Sequence, residues 1–400
     1  MARLHGFMKK ELVGIHRDMV TARRLDEKML TMLKQGKSYF HIGCSGHEAA
    51  QLAGANVMRP GEDWSFPYYR DAAFCLGIGM TPREQLLCFL AKASDPNSGG
   101  RQMPQHYGHK ALRIVSQSSP TGTQLLHAVG CSMTRTWNKT KELVYVSCGE
   151  GTTSQGDFHE ALNWASRVKA PVIFHVQDNK YAISVHISEQ TSGSSVYTMV
   201  AGYQNLARFD VDGTNFFETQ LAFRKASERA RKGKGPTVIV SHVVRLLPHS
   251  SSDDQRKYRT TEELEKDITK DPILKFENEC IKANMINHDE FEKQKKDIFN
   301  QIDEDAKWAE DQSHPDSSTA LLHIYSDNFN EIEVDFKPIS DKVVIVDAIN
   351  HALDEEMNRN EKMVIFGQDI ADPKGGVFTA TKGLTDKFGV GRVFNSPLAE

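Results

Sequence analysis

Two short runs carry the residues best suited to chemistry. "GEG" at 149–151 and "DN" at 178–179 each follow a short apolar stretch, "ELVYVS" (142–147) and "PVIFHV" (171–176). If these stretches are parallel strands, Glu150 and Asn179 emerge at adjacent tips on one edge of a sheet. A carboxylate beside an amide oxygen is a hard-oxygen set suited to Mg²⁺ or Ca²⁺. Gly149 and Gly151 let the backbone approach a phosphate, and the helix that follows offers its N-terminus to an anion. Together they describe a site for a metal-bridged diphosphate. A dinucleotide site is the alternative, with Gly149 and Gly151 as a GxG and Asp178 as the ribose-binding acid. Against it, Gly156 falls at the wrong spacing for GxGxxG, and Glu150 would face the pyrophosphate with no cation between them. A plain βα turn with a solvated acid is the third reading.

The elements around these runs give them a scaffold. Leu12, Ile15, Met19, Ala22, Leu25, Met29 and Leu33 recur at helical spacing and predict a helix over 8–35. Further helices are expected over 46–57 and 82–93, with Pro82 in the first turn of the latter. Residues 94–123 lack periodicity, and a loop of that length is usually functional. Phe158, Ala161, Leu162, Ala165 and Val168 mark one face of a helix over 157–169, so 142–176 reads as a βαβ unit. A helix over 215–232 and the strand "TVIVSHVV" (237–244) extend it. The expected fold class is α/β, a doubly wound parallel sheet with helices on both faces. A second polar loop spans 245–260, charged amphipathic helices follow over 261–312, and 328–341 resembles a linker. A new α/β pattern then begins, and the domains are set at 1–327, 328–341 and 342–400. A segment of about 60 residues is marginal on its own, so either the chain is a fragment or this segment packs on the first domain.

Composition narrows the classes. Among 400 residues, 49 Lys+Arg against 53 Asp+Glu leave a formal charge of −4, with no basic arm for nucleic acid. Apolar runs fall far short of the roughly 18 residues that span a bilayer, and the first residues lack a signal-peptide core. Six cysteines without a CxxC pair read as reduced thiols. A cytoplasmic enzyme without nucleic-acid or membrane partners is expected. His106 and His109 stand at HxxH spacing without acidic or thiol partners, which does not make a zinc site.

The run "GEGTTSQGDFHEALNWASRVKAPVIFHVQDNKYAIS" resembles the thiamine diphosphate fingerprint of the decarboxylating first component of 2-oxo acid dehydrogenase complexes. The resemblance continues through "HIGCSGHEAAQ" (41–51), "PYYRDAAF" (67–74), "GRQMPQHYG" (100–108), "SSPTGTQ" (118–124) and "HSSSDDQRKYR" (249–259), as in the α subunit. The stretch 364–400 is similar to the start of the β subunit, so the chain reads as an α–β fusion truncated early in its β half. "GEG" and "GRQMPQHYG" look branched-chain-like.

By this resemblance, Glu150, Asn179 and the carbonyl of Tyr181 are the magnesium ligands. Tyr69 and Arg70 hold the diphosphate. Gly149, Gly151, Thr152 and Gln177 are further cofactor contacts, and Ser119 and Thr121 touch the aminopyrimidine. Ser118, Pro120, Thr123 and Gln124 match a potassium site. His249 matches a loop histidine near the reacting carbon, with both cofactor-binding and catalytic roles. Ser250 lies where mitochondrial relatives are phosphorylated. Glu400 aligns with the glutamate that bonds the pyrimidine ring nitrogen. A chain ending there is expected to be poorly active alone.

The implied reaction is oxidative decarboxylation of a 2-oxo acid of the 3-methyl-2-oxobutanoate type. The acyl group passes to lipoyl-lysine on the acyltransferase component, whose lipoyl domain is one partner. A homo-oligomer or a partner β-type domain is another. Pyruvate or acetoin dehydrogenase, another thiamine diphosphate enzyme, an NAD-binding oxidoreductase and a non-catalytic assembly subunit remain the alternatives.

Overall fold

The computed structural model describes residues 2–138, 140–322, 324–325 and 342–398. The linker at 328–341 and Glu400 lie outside the described residues. The chain divides into two compact units, Met1–Ala320 and Leu321–Glu400.

The first unit is built on a five-stranded, all-parallel sheet. Its strands are β1 (Trp64–Phe66), β2 (Val144–Gly149), β3 (Val172–Asp178), β4 (Ala207–Asp212) and β5 (Thr237–His242), in the order β1-β2-β3-β5-β4. Its helices include α1 (Lys9–Lys34), α2 (Glu48–Ala55), α3 (Ala72–Gly77), α4 (Pro82–Phe89), α5 (Thr123–Asn138), α6 (Gly156–Val168) and α7 (Phe216–Arg231). Beyond the sheet come α8 (Thr261–Ile268), α9 (Pro272–Lys282) and α10 (His288–Glu310). The expected doubly wound α/β architecture is what forms. The short strands β1 and β4 and the helices α3 and α5 were not foreseen.

Alternation along the strands decides what each face packs against. Val144, Val146 and Cys148 of β2, Val172, Phe174 and Val176 of β3, and Val238 and Val240 of β5 all face one way. They bury against Leu125, Ala128 and Val129 of α5 and Phe158, Ala161, Leu162 and Ala165 of α6. The opposite face carries Tyr145, Ile173 and Ile239 beneath α1, α2 and α7. That face turns polar toward the carboxyl ends, where Ser147, His175, Gln177 and Ser241 are all fully buried. Every residue of α2 is buried, so this helix lies inside the unit.

Strand register sets the height of the tips. Gly149 pairs with Gln177, Gln177 with Ser241, and Asp178 with His242. The residues just beyond β2 and β3, Glu150 and Asn179, therefore leave the sheet side by side.

In the second unit, the parallel pair β6 (Ile365–Gly367) and β7 (Val393–Asn395) accompanies α11 (Ile345–Arg359) and α12 (Leu384–Phe388). Met357, Leu384 and Val393 form its buried core.

Candidate cofactor site

A cleft of about 260 Å³ opens at the carboxyl ends of β2 and β3. Its floor is Gly149, Glu150, Gly151 and Thr152, and Asn179, Tyr181, Ala182 and Ile183 form one wall. Tyr68, Tyr69, Arg70, Thr121 and His249 form the others. Most residues assigned to cofactor and metal thus meet in one place.

Glu150 is 1% exposed, and its Oε2 accepts from the Asn179 backbone N–H at 3.3 Å. Its Oε1 is buried with no hydrogen-bond partner. Burial and the nearby Asp178 carboxylate push the Glu150 acid up to about 7. An orphaned carboxylate oxygen of this kind calls for a cation. For Asp178 itself, burial is outweighed by hydrogen bonds from His242 and Lys180, which hold its carboxyl below the usual range. Asp178 is committed to these partners, at 3.1 Å from His242 Nδ1 and 2.5 Å from Lys180 Nζ, rather than to a ribose. Asn179 Oδ1 accepts from Tyr181 N–H at 3.2 Å, which ties the strand tip to the turn behind it. Among the described residues no group of three His, Cys, Asp or Glu side chains gathers into a metal site. A cation here would take one carboxylate, one amide, a carbonyl and oxygens of its ligand, as hard divalent ions do.

Gly151 has a steric reason. A Cβ built on it would stand 2.5 Å from Ala182 Cβ, so no side chain fits between the two tips.

Arg70 is 2% exposed and is the one permanent cation among the residues lining the cleft. Its Nη1 donates to Gly43 O at 2.6 Å, and its Nη2 to His249 O at 3.2 Å and His249 Nδ1 at 3.3 Å. A guanidinium only donates, so Nδ1 is the acceptor and Nε2 carries the imidazole proton. Burial and the charges of Arg70 and Arg245 push His249 down to about 4, which keeps it neutral at ordinary pH. Its loop is held by Asp253, whose Oδ2 accepts from His249 N–H at 2.8 Å and from the Tyr258 hydroxyl at 2.5 Å. Ser250 is buried, with its Oγ 2.9 Å from Ser252 Oγ.

Six assigned residues, Gln177, Ser118, Ser119, Pro120, Thr123 and Gln124, lie outside the cleft lining. Gln177 does not line the cleft: its side chain is fully buried on the α2 face of the sheet, where its amide is spent on Asp71, His47, Gln51 and Tyr68. Ser119 is exposed, and its hydroxyl lies 2.6 Å from His106 Nε2. Ser118 is part-buried outside the cleft lining. In the remaining potassium candidates, Thr123 Oγ1 donates to Pro120 O at 3.2 Å and Gln124 Nε2 to Ser147 O at 3.1 Å. Gln124 Oε1 is left buried without a partner.

Sequence reasoning missed the buried polar group behind the cleft, Asp71 and His47 above all. The signal was present as polar residues at every second position, Ser147, His175, Gln177 and Ser241, in strands otherwise apolar.

Comparison with known proteins follows the same lines. Residues 16–318 match the family described as "Dehydrogenase E1 component", and residues 341–400 match "Transketolase, pyrimidine binding domain". The 2-oxoisovalerate dehydrogenase subunit alpha of Bacillus subtilis (strain 168) is 40% identical over 322 residues, which cover 80% of this chain and 97% of that one. The 3-methyl-2-oxobutanoate dehydrogenase subunit alpha of Mycobacterium tuberculosis (strain ATCC 25618 / H37Rv) is 34% identical over 275 residues, 68% of this chain and 72% of its own. The Pyruvate dehydrogenase E1 component subunit alpha of Acholeplasma laidlawii is 28% identical over 330 residues, 82% and 91% of the two chains. A cleft at the carboxyl ends of a parallel sheet, an orphaned carboxylate in its lining and a family match over most of the length agree: this chain belongs to the dehydrogenase E1 component family.

Proposed function

We propose that the chain acts in the first component of a 2-oxo acid dehydrogenase complex, oxidatively decarboxylating a branched-chain 2-oxo acid of the 3-methyl-2-oxobutanoate type. The observation that carries the reading is Glu150 Oε1, buried and unpartnered between two strand tips, in a cleft whose permanent cation is Arg70. The relatives named for branched-chain substrates, at 40% and 34% identity, favour that substrate over pyruvate, whose relatives stand at 32% and 28%.

The cofactor in this reading is thiamine diphosphate with Mg²⁺; when bound, it supplies a nucleophilic carbon and an electron sink for loss of carbon dioxide. Glu150, Asn179 and the Tyr181 carbonyl would hold the magnesium ion. Tyr69 and Arg70 would bind the diphosphate, Arg70 with a fork suited to phosphate oxygens. Gly149, Gly151, Thr152 and Thr121 line the space left for the rest of the cofactor. His249, neutral with its proton on Nε2, would orient the substrate carboxylate and move a proton near the reacting carbon. Ser119, held by His106, is assigned to the aminopyrimidine, and Gln124 Oε1 with Ser118, Pro120 and Thr123 to potassium. Glu400 is assigned to the pyrimidine ring nitrogen. The domains in this reading are 1–327 and 342–400, joined by a linker over 328–341. Further partners are a lipoyl domain of the acyltransferase and a second copy or a β-type domain, in the cytoplasm.

Calorimetric titration with thiamine diphosphate, with and without Mg²⁺, tests the reading. Binding should require the metal and fall more than about 100-fold in Glu150→Ala, beyond the 10–100-fold typical of losing a group behind a metal ligand. Metal-independent binding, or NAD binding in its place, would refute it.

A further inference from the structure

We propose that Asp71 is a positioning residue for the anion-holding end of the cleft, its carboxylate fixing the Gln177 amide so that Gln177 and Gln51 hold the segment carrying Tyr69 and Arg70. The inference rests on the cofactor reading above and goes behind it, to groups that touch no ligand.

Asp71 follows Arg70 directly but its side chain turns onto the sheet. Its Oδ2 accepts from Ser147 Oγ and, at 3.3 Å, from the Tyr145 hydroxyl, while Oδ1 accepts from Gln177 Nε2 at 2.5 Å. In its ionised form Asp71 only accepts, so the Gln177 amide then has one orientation available, with Oε1 turned away from Asp71. That oxygen collects three donors: His47 Nδ1 at 2.8 Å, Gln51 Nε2 at 2.9 Å and the Tyr68 hydroxyl at 3.2 Å. Gln51 Nε2 also donates to Arg70 O at 2.9 Å, and Gln51 Oε1 accepts from Ala73 N–H at 3.1 Å. Tyr68 N–H donates to Ser147 Oγ at 3.0 Å. Residues 68–73 are thus pinned at four points by bonds that converge on Asp71 and Gln177.

Among the described residues no cation hydrogen-bonds this carboxylate. The titratable groups around it are Tyr68 and Cys75 from its own segment and Tyr145 from β2, with Cys148 on the other face of the sheet and His47 and His175 one bond further off. Burial holds both histidines neutral, His175 down to about 3. A buried carboxylate with neutral donors alone costs stability, so packing does not explain it. Orientation of a network that would otherwise have several hydrogen-bond patterns does.

The test is titration of the full 400-residue chain with thiamine diphosphate and Mg²⁺ in wild type, Asp71→Asn, Asp71→Leu and Gln51→Met, with circular dichroism as the check on folding. Asp71→Asn keeps an acceptor toward Gln177 and should bind within about threefold of wild type. Asp71→Leu and Gln51→Met lose a link each and should bind at least about tenfold more weakly, the equivalent of one buried hydrogen bond. Should Asp71→Leu fail to fold, Gln51→Met carries the test. Wild-type affinity in the folded Leu and Met variants would overturn the inference while leaving the site intact. Asp71→Asn binding as weakly as Asp71→Leu would overturn the part assigned to Gln177. A wild-type chain that binds nothing would overturn the cofactor reading first, and this inference with it.

Discussion

At the residue scale the site depends on what is left out as much as on what is present. Glu150 keeps an oxygen with no partner, and Gly151 keeps a gap that no side chain can share with Ala182. In Gly151→Ala the new methyl would lie 2.5 Å from Ala182 Cβ, closer than carbon atoms pack, so one of the two strand-tip segments must shift. Because both segments line the cleft, thiamine diphosphate affinity should fall by at least about fivefold, given that overpacking costs roughly 1–3 kcal/mol. Gly156→Ala is the control: its Cβ meets only Glu160 Oε1, at 3.7 Å, and affinity should stay as in wild type. Titration of both variants checks this, and equal affinities for Gly151→Ala and Gly156→Ala would refute the steric argument.

At the element scale, the sheet has one dry face and one face that turns polar at its carboxyl end, and the polar end is where pH enters. Burial pushes the Asp71 acid from 3.8 up to about 7 against the hydrogen bonds that lower it. The folded chain therefore keeps a proton that the unfolded chain releases. Stability from this group is full below about pH 4, falls as pH rises toward 7, and levels off above it, a loss of up to about 4 kcal/mol. Asp71→Asn removes the titration and retains the shape. Urea unfolding of both proteins at several pH values between 4 and 8 should show wild type losing ground to Asp71→Asn up to about pH 7 and no further change above. A constant difference across that range would contradict it.

The same elements explain what could be read in advance. Helix α1 was legible within a residue at each end because Leu12, Met19, Ala22, Leu25 and Met29 share one stripe. Strands β2, β3 and β5 were legible as apolar runs, and Glu150 and Asn179 followed because a strand end is a local signal. Strand β4 was not: "ARFDVD" lies at the sheet edge with only Val211 buried, so its pattern resembles a loop. The place of the Gln177 side chain was illegible for a different reason. A polar side chain two residues before a strand tip can reach the cleft or the layer beneath it, and only the packing of α2 with its Gln51 and His47 decides which.

At the scale of the whole molecule, the two units differ in how much they bury. The first has two extensive clusters, one on each face of its sheet. The second has Met357, Leu384 and Val393 as its buried apolar side chains among the described residues, and its parallel sheet has two strands. Parallel strands normally gain their stability from helices on both faces, yet Phe366 of β6 is 52% exposed, and Val344, Ile345 and Phe378 are exposed too. Regions with few buried apolar contacts open locally at low free energy. Amide exchange measured on the intact chain should therefore run fast over 342–398, through α11 and the β6–β7 pair alike. In β2, β3 and β5, whose residues are almost all buried, exchange should require unfolding of the first unit as a whole. Protection in Ile365–Gly367 equal to that in Val172–Asp178 would refute this division. If it holds, thiamine diphosphate with Mg²⁺ should slow exchange in the 149–152 and 179–183 segments that line the cleft.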